Sequence, residues 1–140
     1  MDERAERLEI LIDDAVRVRH PGEALRGGWR YNSEEPLEVK RAEVRVFWFT
    51  EGKGDCDSGV HGSQASVEDG TLDAGRAFPF EVALPDEPWT YDGRLVKIRW
   101  AVRVNVTPRQ GQEFAADASF QLRPKGWAPK PQADGQAEAR

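Results

Sequence analysis

An alternation of apolar and polar residues across residues 95–106 is the feature that most constrains the fold of this chain. The polar partners in the alternation include Lys97, Arg99 and Arg103. Because successive side chains of a β-strand point to opposite faces, this segment predicts a long strand with one buried face. The residues predicted to share the buried face are Val96, Ile98, Trp100, Val102, Val104 and Val106.

The same period of two recurs along most of the chain, whereas helical periodicity is almost absent. It predicts further strands within residues 42–48, 78–84 and 114–122, and shorter ones at 8–12, 16–18 and 25–31. Two segments rich in Pro, Gly or Asp, His20–Glu23 and Tyr91–Arg94, predict tight hairpin connections. About seven strands with one apolar face each predict two antiparallel sheets packed face to face, with a closed barrel as the structural alternative.

Two regions lack this alternation. Residues 51–76 are rich in Gly, Asp and Ser, with only a strand-like hint at 65–67, and they predict a long loop. Residues 124–140 are rich in Pro, Ala and polar side chains and predict a flexible tail. A chain of 140 residues accommodates one domain, which we expect to span residues 1–123.

Charge and cysteine usage exclude several classes of protein. A net charge of -5 argues against nucleic-acid binding, which usually requires a basic excess. The single cysteine excludes an intrachain disulfide. No stretch approaches the roughly 20 apolar residues of a membrane span, and the charged N-terminus has no apolar signal region. We therefore expect a cytoplasmic protein.

Residues capable of catalysis or metal binding are few. Cys56 and His61 lie in a Gly-rich segment with acidic neighbours, but a structural zinc site needs four ligands and a nucleophilic cysteine needs an activating base. His20 precedes Pro21 in a predicted turn and is expected to be an ordinary surface residue. We accordingly predict no metal, no cofactor and no enzymatic activity, and an enzyme that uses Cys56 and His61 is the least favoured alternative.

The order of several short motifs resembles that of the arrestin-like family. The segment HPGEALRGGW, from His20 to Trp29, is similar to the family's strand, Pro-Gly turn and following strand. The segment VKRAEVRVFWFTEGKGD resembles its long strand entering a Gly-containing loop. The segment FPFEVALPDEPWTYDGRLVKIRWAVRVNV resembles its apolar strand, aromatic turn and Trp-containing strand. Together with the final strand, the resemblance covers residues 8–122.

This resemblance implies an immunoglobulin-like β-sandwich close to one lobe of a two-lobed arrestin, a lobe shared by trafficking adaptors and bacterial sporulation-control proteins. It also implies an adaptor or scaffold role, and no catalytic residue comes with it. This chain has room for one lobe only, so the contacts between lobes on which animal arrestins depend are not transferred. A lone lobe is expected to pair with another protein or with a second copy of itself.

Two sets of outward residues are the candidate partner-binding sites. The first is a basic stripe, which an acidic or phosphorylated segment could occupy; the commoner alternative is ordinary pairing with acids such as Glu43 and Glu81. The second is Phe47 and Phe49, which leave the end of their strand apolar on both sides unless a loop or Trp127 of the tail covers them. The stripe comprises Arg17, Arg19, Arg45, Lys97, Arg99 and Arg103.

Two other modes of binding are consistent with the same strands. A ligand- or carbohydrate-binding sandwich could use Trp29, Trp89 and Tyr91 as stacking faces. Alternatively, an extended segment of a partner could add to an exposed edge strand.

Overall fold

The structure, a computed structural model of the 140-residue chain, describes residues 3–13, 18–52 and 57–125. The first element is a single helical turn, and all the others are strands. The elements are α1 (Glu3–Glu6), β1 (Leu8–Ile12), β2 (Val18–Arg19), β3 (Ala24–Tyr31), β4 (Leu37–Gly52), β5 (Ser58–Leu72), β6 (Ala77–Ala83), β7 (Tyr91–Asp92), β8 (Val96–Pro108) and β9 (Phe114–Leu122).

The strands form two sheets of unequal size. The small sheet has the order β1-β3-β6, and the large sheet has the order β2-β9-β8-β4-β5, with β7 paired to one end of β8. Each sheet has its own open strand order, which confirms the predicted sandwich over the closed barrel. All pairings are antiparallel except the short one between β2 and β9, which is parallel. The two predicted antiparallel sheets are therefore confirmed, with this two-residue parallel pairing at one edge.

The core lies between the inner faces of the two sheets. From the large sheet, five valines of β4 and β8 are fully buried, as the alternation predicted: Val44, Val46, Val102, Val104 and Val106. From the small sheet, Trp29 stacks on Phe78 with ring centroids 4.7 Å apart. Tyr31 of β3 meets Phe114 of β9 at 5.9 Å and so links the two layers. Burial of these large side chains is the main source of stability in a domain that has no disulfide.

The first residues of β8 do not belong to its buried face, contrary to the prediction. Trp100 and the valines that follow it are buried, whereas Ile98 is only partly covered and Val96 is exposed. The reason is a difference in sheet length, because the large sheet extends past the strands that cover it. The prediction that Val96 and Ile98 belong to the core was therefore wrong.

The loop predicted at residues 51–76 is replaced for most of its length by β5. This 15-residue strand pairs antiparallel with β4 from Leu72 opposite Leu37 to Ser58 opposite Phe49, with two register shifts. As an edge strand it exposes most of its side chains, and only Leu72 is fully buried. Such a strand is held by backbone hydrogen bonds to its neighbour and needs no apolar alternation, which explains why its sequence did not reveal it.

Side chains of β5 close the gap between the large sheet and the edge of β6. The Gln64 Oε1 atom accepts a hydrogen bond from the Glu81 backbone N–H at 3.2 Å. His61 donates from Nε2 to the Ala83 carbonyl at 2.7 Å. The Trp29 indole N–H donates to Ser66 Oγ at 3.1 Å. The first two bonds satisfy main-chain groups of β6 at the edge of its sheet, and the third joins two side chains across the gap.

The two predicted hairpin turns have different outcomes. At Tyr91–Arg94 the chain forms a true hairpin, with β7 paired to β8 and the Gly93 N–H bonded to the Val96 carbonyl at 3.0 Å. At His20–Glu23 the turn is tight, and Gly22 adopts the φ of 86° that Gly tolerates best. Its flanking strands, however, belong to different sheets, so this segment is a connection between layers and the hairpin prediction was wrong.

Replacing Leu25 by Ala tests the packing of the two layers. Leu25 of β3 is fully buried, so Leu25→Ala is expected to lower the free energy of unfolding by about 2–5 kcal/mol, through lost burial and the cavity left behind. Equilibrium denaturation in urea measures the change. Leu11→Ala is the matched control on the adjacent strand β1, where Leu11 is 52% exposed, and its effect should stay within about 0.5 kcal/mol. Equal losses in the two variants would contradict the described core.

Candidate functional site

Two phenylalanines on the outer face of the large sheet form the centre of the candidate site. Phe47 and Phe49 alternate along β4 with Val46 and Trp48, whose side chains point toward the core. The two rings stack with centroids 5.8 Å apart and an interplanar angle of 29°. Both side chains are half-buried. The predicted apolar character of both faces of this strand is thus observed.

Cross-strand neighbours extend this aromatic pair into a larger apolar surface. Phe47 lies opposite Ala101 of β8 on one side and Val60 of β5 on the other. Val60 is 61% exposed and adds apolar area beside the two rings. We call this surface the outer-face patch, which comprises Phe47, Phe49, Val60 and Ala101.

Arg103 borders the outer-face patch and is held in place by two partners. Its guanidinium lies over the Phe47 ring at 4.9 Å from the ring centroid. It also donates to both carboxylate oxygens of Asp117, at 2.7 Å and 3.0 Å. These hydrogen bonds from Arg103 to Asp117 raise the pKa of the Arg103 guanidinium above its ordinary value. The result is a fixed, charge-compensated border beside the aromatic ring.

The other arginines of the predicted basic stripe on this face are also compensated. Arg99 contacts Glu51 at 3.3 Å and Asp92 at 3.1 Å. Arg45 contacts Glu43 at 3.4 Å, as the alternative interpretation expected. Because carboxylates already occupy these guanidinium groups, an acidic partner would have to displace them. The structure therefore favours ordinary surface pairing for these residues over a free basic stripe.

The other residues predicted for the basic stripe do not extend it. Arg19 was expected to point outward, but it is buried, and its guanidinium donates to the backbone carbonyls of Val18 and Asp13. Glu81, expected to pair with the stripe, instead contacts Arg26 on the small sheet at 3.1 Å. Lys97 is exposed near the start of β8. Arg17 lies outside the described residues.

A groove of about 590 Å³ adjoins the outer-face patch. Small side chains of Ala101 and Ser119, which are direct cross-strand neighbours, form part of its lining. Its edge at Thr90 is fixed, because the Thr90 Oγ1 atom accepts the Leu122 N–H at 2.9 Å and the Thr90 carbonyl accepts from Arg123 at 3.0 Å. The lining also includes Phe49, Glu51, Arg99, Asp117 and Gln121.

The residues considered for ligand binding or catalysis do not form a common site within the described part of the chain. Trp29 was considered as a stacking face for a ligand, but it is buried between the sheets and cannot serve as one. Trp89 and Tyr91 are both about half exposed. His61 is bonded to the Ala83 carbonyl, and Cys56 and Trp127 lie outside the described residues. Within residues 3–13, 18–52 and 57–125, no cluster of three or more metal-ligating side chains occurs.

Sequence reasoning identified the aromatic residues but not their neighbours. Val60 falls in the segment predicted to be a loop, and the pairing of Phe47 with Ala101 depends on strand register. Thr90 was not singled out because its partner, Leu122, lies 32 residues away along the chain. No local sequence signal marks such contacts.

Similarity to known proteins is detectable in structure and not in sequence. No protein-family model matches the chain, and no curated protein matches it. Among solved structures, the sporulation control protein Spo0M of Bacillus subtilis is similar, with a TM-score of 0.67 at 14% sequence identity. The fold is arrestin-like. The match covers 84% of this chain and 49% of the Spo0M chain, so this chain spans about half the length of that relative.

The pairing of Arg103 with Asp117 can be measured by a double-mutant cycle with Arg103→Gln and Asp117→Asn. Both side chains are nearly half exposed, so we expect a coupling energy below about 1 kcal/mol that decreases as salt is added. Urea denaturation of the four proteins gives this value. The same cycle on Arg26 and Glu81, an exposed pair without a ring contact among the described residues, is the control. A coupling of several kcal/mol would contradict an ordinary surface pair.

Proposed function

We propose that this chain is a non-catalytic protein-interaction module, an adaptor or scaffold of the cytoplasm, that binds its partner through the outer-face patch. The observation that carries the proposal is the stacked, partly exposed pair of Phe47 and Phe49 on the face of the large sheet that points away from the core. The partner is another protein or a second copy of this chain. The single cysteine is consistent with a reducing compartment.

The chemistry of the outer-face patch is typical of a binding hot spot. Interface centres are enriched in aromatic residues and arginine, and a polar rim excludes water from them. Here two phenylalanines are bordered by Arg103, whose charge is balanced by Asp117. Burying such a pair against a partner removes apolar area from water without leaving an isolated charge.

The groove beside the patch gives a partner a place to dock a side chain. The small side chains of Ala101 and Ser119 in its lining leave space beside the larger Phe49 and Gln121. The lining includes hydroxyl, amide and carboxylate groups, which can orient a polar backbone. A segment with one apolar side chain flanked by polar groups fits this arrangement best.

The structural relative supports a regulatory role. Spo0M is described as a sporulation control protein, which is a regulatory and not a chemical designation. At 14% identity this likeness establishes only the fold, so the adaptor role and the binding surface are our proposals for this chain.

A quantitative pull-down with the full chain tests the proposal. Tagged wild-type protein and the Phe47→Ser/Phe49→Ser variant are incubated with native lysate, and the captured proteins are quantified by mass spectrometry. Because truncating hot-spot residues usually weakens binding severely, we expect specific partners to fall by at least about ten-fold with the variant. If the partner is a second copy, sedimentation velocity will instead show a concentration-dependent dimer that the variant loses.

Two control variants make this result specific. Leu11→Ser removes an exposed leucine from the small sheet and should leave capture and self-association unchanged. Arg45→Glu reverses an exposed cation of the basic stripe outside the patch, and it should also have little effect. Undiminished binding by Phe47→Ser/Phe49→Ser would refute the proposal, and selective loss with Arg45→Glu would favour the basic stripe.

A further inference from the structure

One end of the large sheet extends beyond the small sheet. At about 3.3 Å per residue, the 16 residues of β4 span roughly 50 Å and the 7 residues of β6 only about 23 Å. β6 ends at Ala83, which lies against His61 of β5. Beyond that level β4 and β8 continue to the pair formed by Gly52 and Val96. No strand of the small sheet faces this overhang within the described residues.

Exposed apolar side chains concentrate at the overhang. Six large hydrophobic residues of the described chain are exposed, and four of them fall within residues 89–96. Leu95 is the most exposed of all, at 73%, and it lies in the turn between β7 and β8. We call this surface the hairpin tip. It comprises Trp89, Tyr91, Arg94, Leu95, Val96 and Lys97.

The backbone of the hairpin tip is anchored on both sides. The Trp100 indole N–H donates to the Pro88 carbonyl at 2.7 Å, just before Trp89. Thr90 exchanges main-chain and side-chain hydrogen bonds with Leu122. β7 is paired with β8, and Val96 is paired with Gly52 of β4. The apolar side chains are therefore held outward on a fixed frame.

Uncompensated cations accompany these apolar side chains. Arg94 and Lys97 are exposed and make no ion pair with any described residue. Asp92 lies two residues before Arg94, and its carboxylate is already bound by Arg99 and Arg123. In a protein with a net charge of -5, the tip thus presents two positive charges that form no ion pair within the described part of the chain. Strand register places Lys97 opposite two acids, Glu51 and Asp92, and Arg99 contacts both of them. The exposed acids Asp86 and Glu87 precede Trp89.

We propose that the hairpin tip binds the surface of an anionic membrane. Trp and Tyr prefer the depth of the lipid headgroups because their rings have an apolar body and a polar end. Leu95 and Val96 would enter the boundary of the acyl chains, and Arg94 and Lys97 would contact the anionic headgroups. The most exposed apolar residue lies at the turn of a protruding hairpin, a shape suited to shallow insertion.

This inference is independent of the proposed function. The hairpin tip and the outer-face patch share no residue, and Glu51 and Arg99 lie between them on the sheet. A chain bound to a membrane by its tip would leave Phe47 and Phe49 accessible to a partner. The physical consequence is an adaptor that brings its partner to a membrane surface.

Vesicle binding by the full chain tests the proposal. Wild-type protein is sedimented with vesicles of phosphatidylcholine alone or with about 30% phosphatidylserine. We expect binding to the anionic vesicles, little binding to the neutral ones, and a decrease as salt rises from about 50 to about 500 mM. Leu95→Ser should lower the partition coefficient roughly ten-fold, and Arg94→Glu/Lys97→Glu should abolish the preference for anionic lipid.

Matched controls separate the hairpin tip from general surface properties. Leu11→Ser removes another exposed leucine, and Lys40→Glu reverses an exposed lysine of β4 that has no acidic partner in the described part of the chain. Both variants should bind vesicles as the wild type does, and so should Phe47→Ser/Phe49→Ser. Circular dichroism verifies that each variant is folded.

Three results would overturn the proposal. The first is absence of wild-type binding to both kinds of vesicle. The second is equal binding by Leu95→Ser and Leu11→Ser. The third is that the wild type binds no vesicles while the tip variants lose a protein that the wild type captures. That result would identify the tip as a protein-docking surface. Loss of protein capture in Phe47→Ser/Phe49→Ser alone bears on the proposed function and not on the tip.

Discussion

The pairing of β4 with β8 is the interaction on which both the core and the candidate site depend. Its register places Val44 opposite Val104 and Trp48 opposite Trp100 on the inner face. The same register places Phe47 opposite Ala101 on the outer face. Because side chains alternate with a period of two, a slip of one residue would move the valines into water and the phenylalanines into the core. Core stability therefore enforces the geometry of the outer-face patch.

The unequal length of the two sheets explains where the remaining surfaces of interest arise. Along β5 the difference is closed by polar side chains such as Gln64 and His61, which satisfy the edge of β6. Beyond Ala83, where β6 ends, no strand of the small sheet covers the start of β8 within the described residues, so Leu95 and Val96 remain exposed. A sandwich with one short layer thus combines a closed, polar seam with an open, apolar end.

The strands with an alternating pattern could be predicted, and the others could not. The segments around Val104, Phe80 and Phe120 are recognisable as strands in the sequence because each must bury one face. β5 has no such requirement, since an edge strand is held by backbone bonds that any side chain permits. Likewise Arg19 looked like a surface cation, yet the chain folds so that nearby carbonyl groups receive its guanidinium.

By itself, the sequence determined which residues of each alternating strand face the same way and where Gly22 and Gly93 reverse the chain. Only the tertiary structure decided which outward residues become neighbours: Phe47 with Val60 and Ala101, and Arg103 with Asp117. The physical reason is that side-chain direction is a local property of the backbone, whereas register and sheet length depend on strands far apart in the chain.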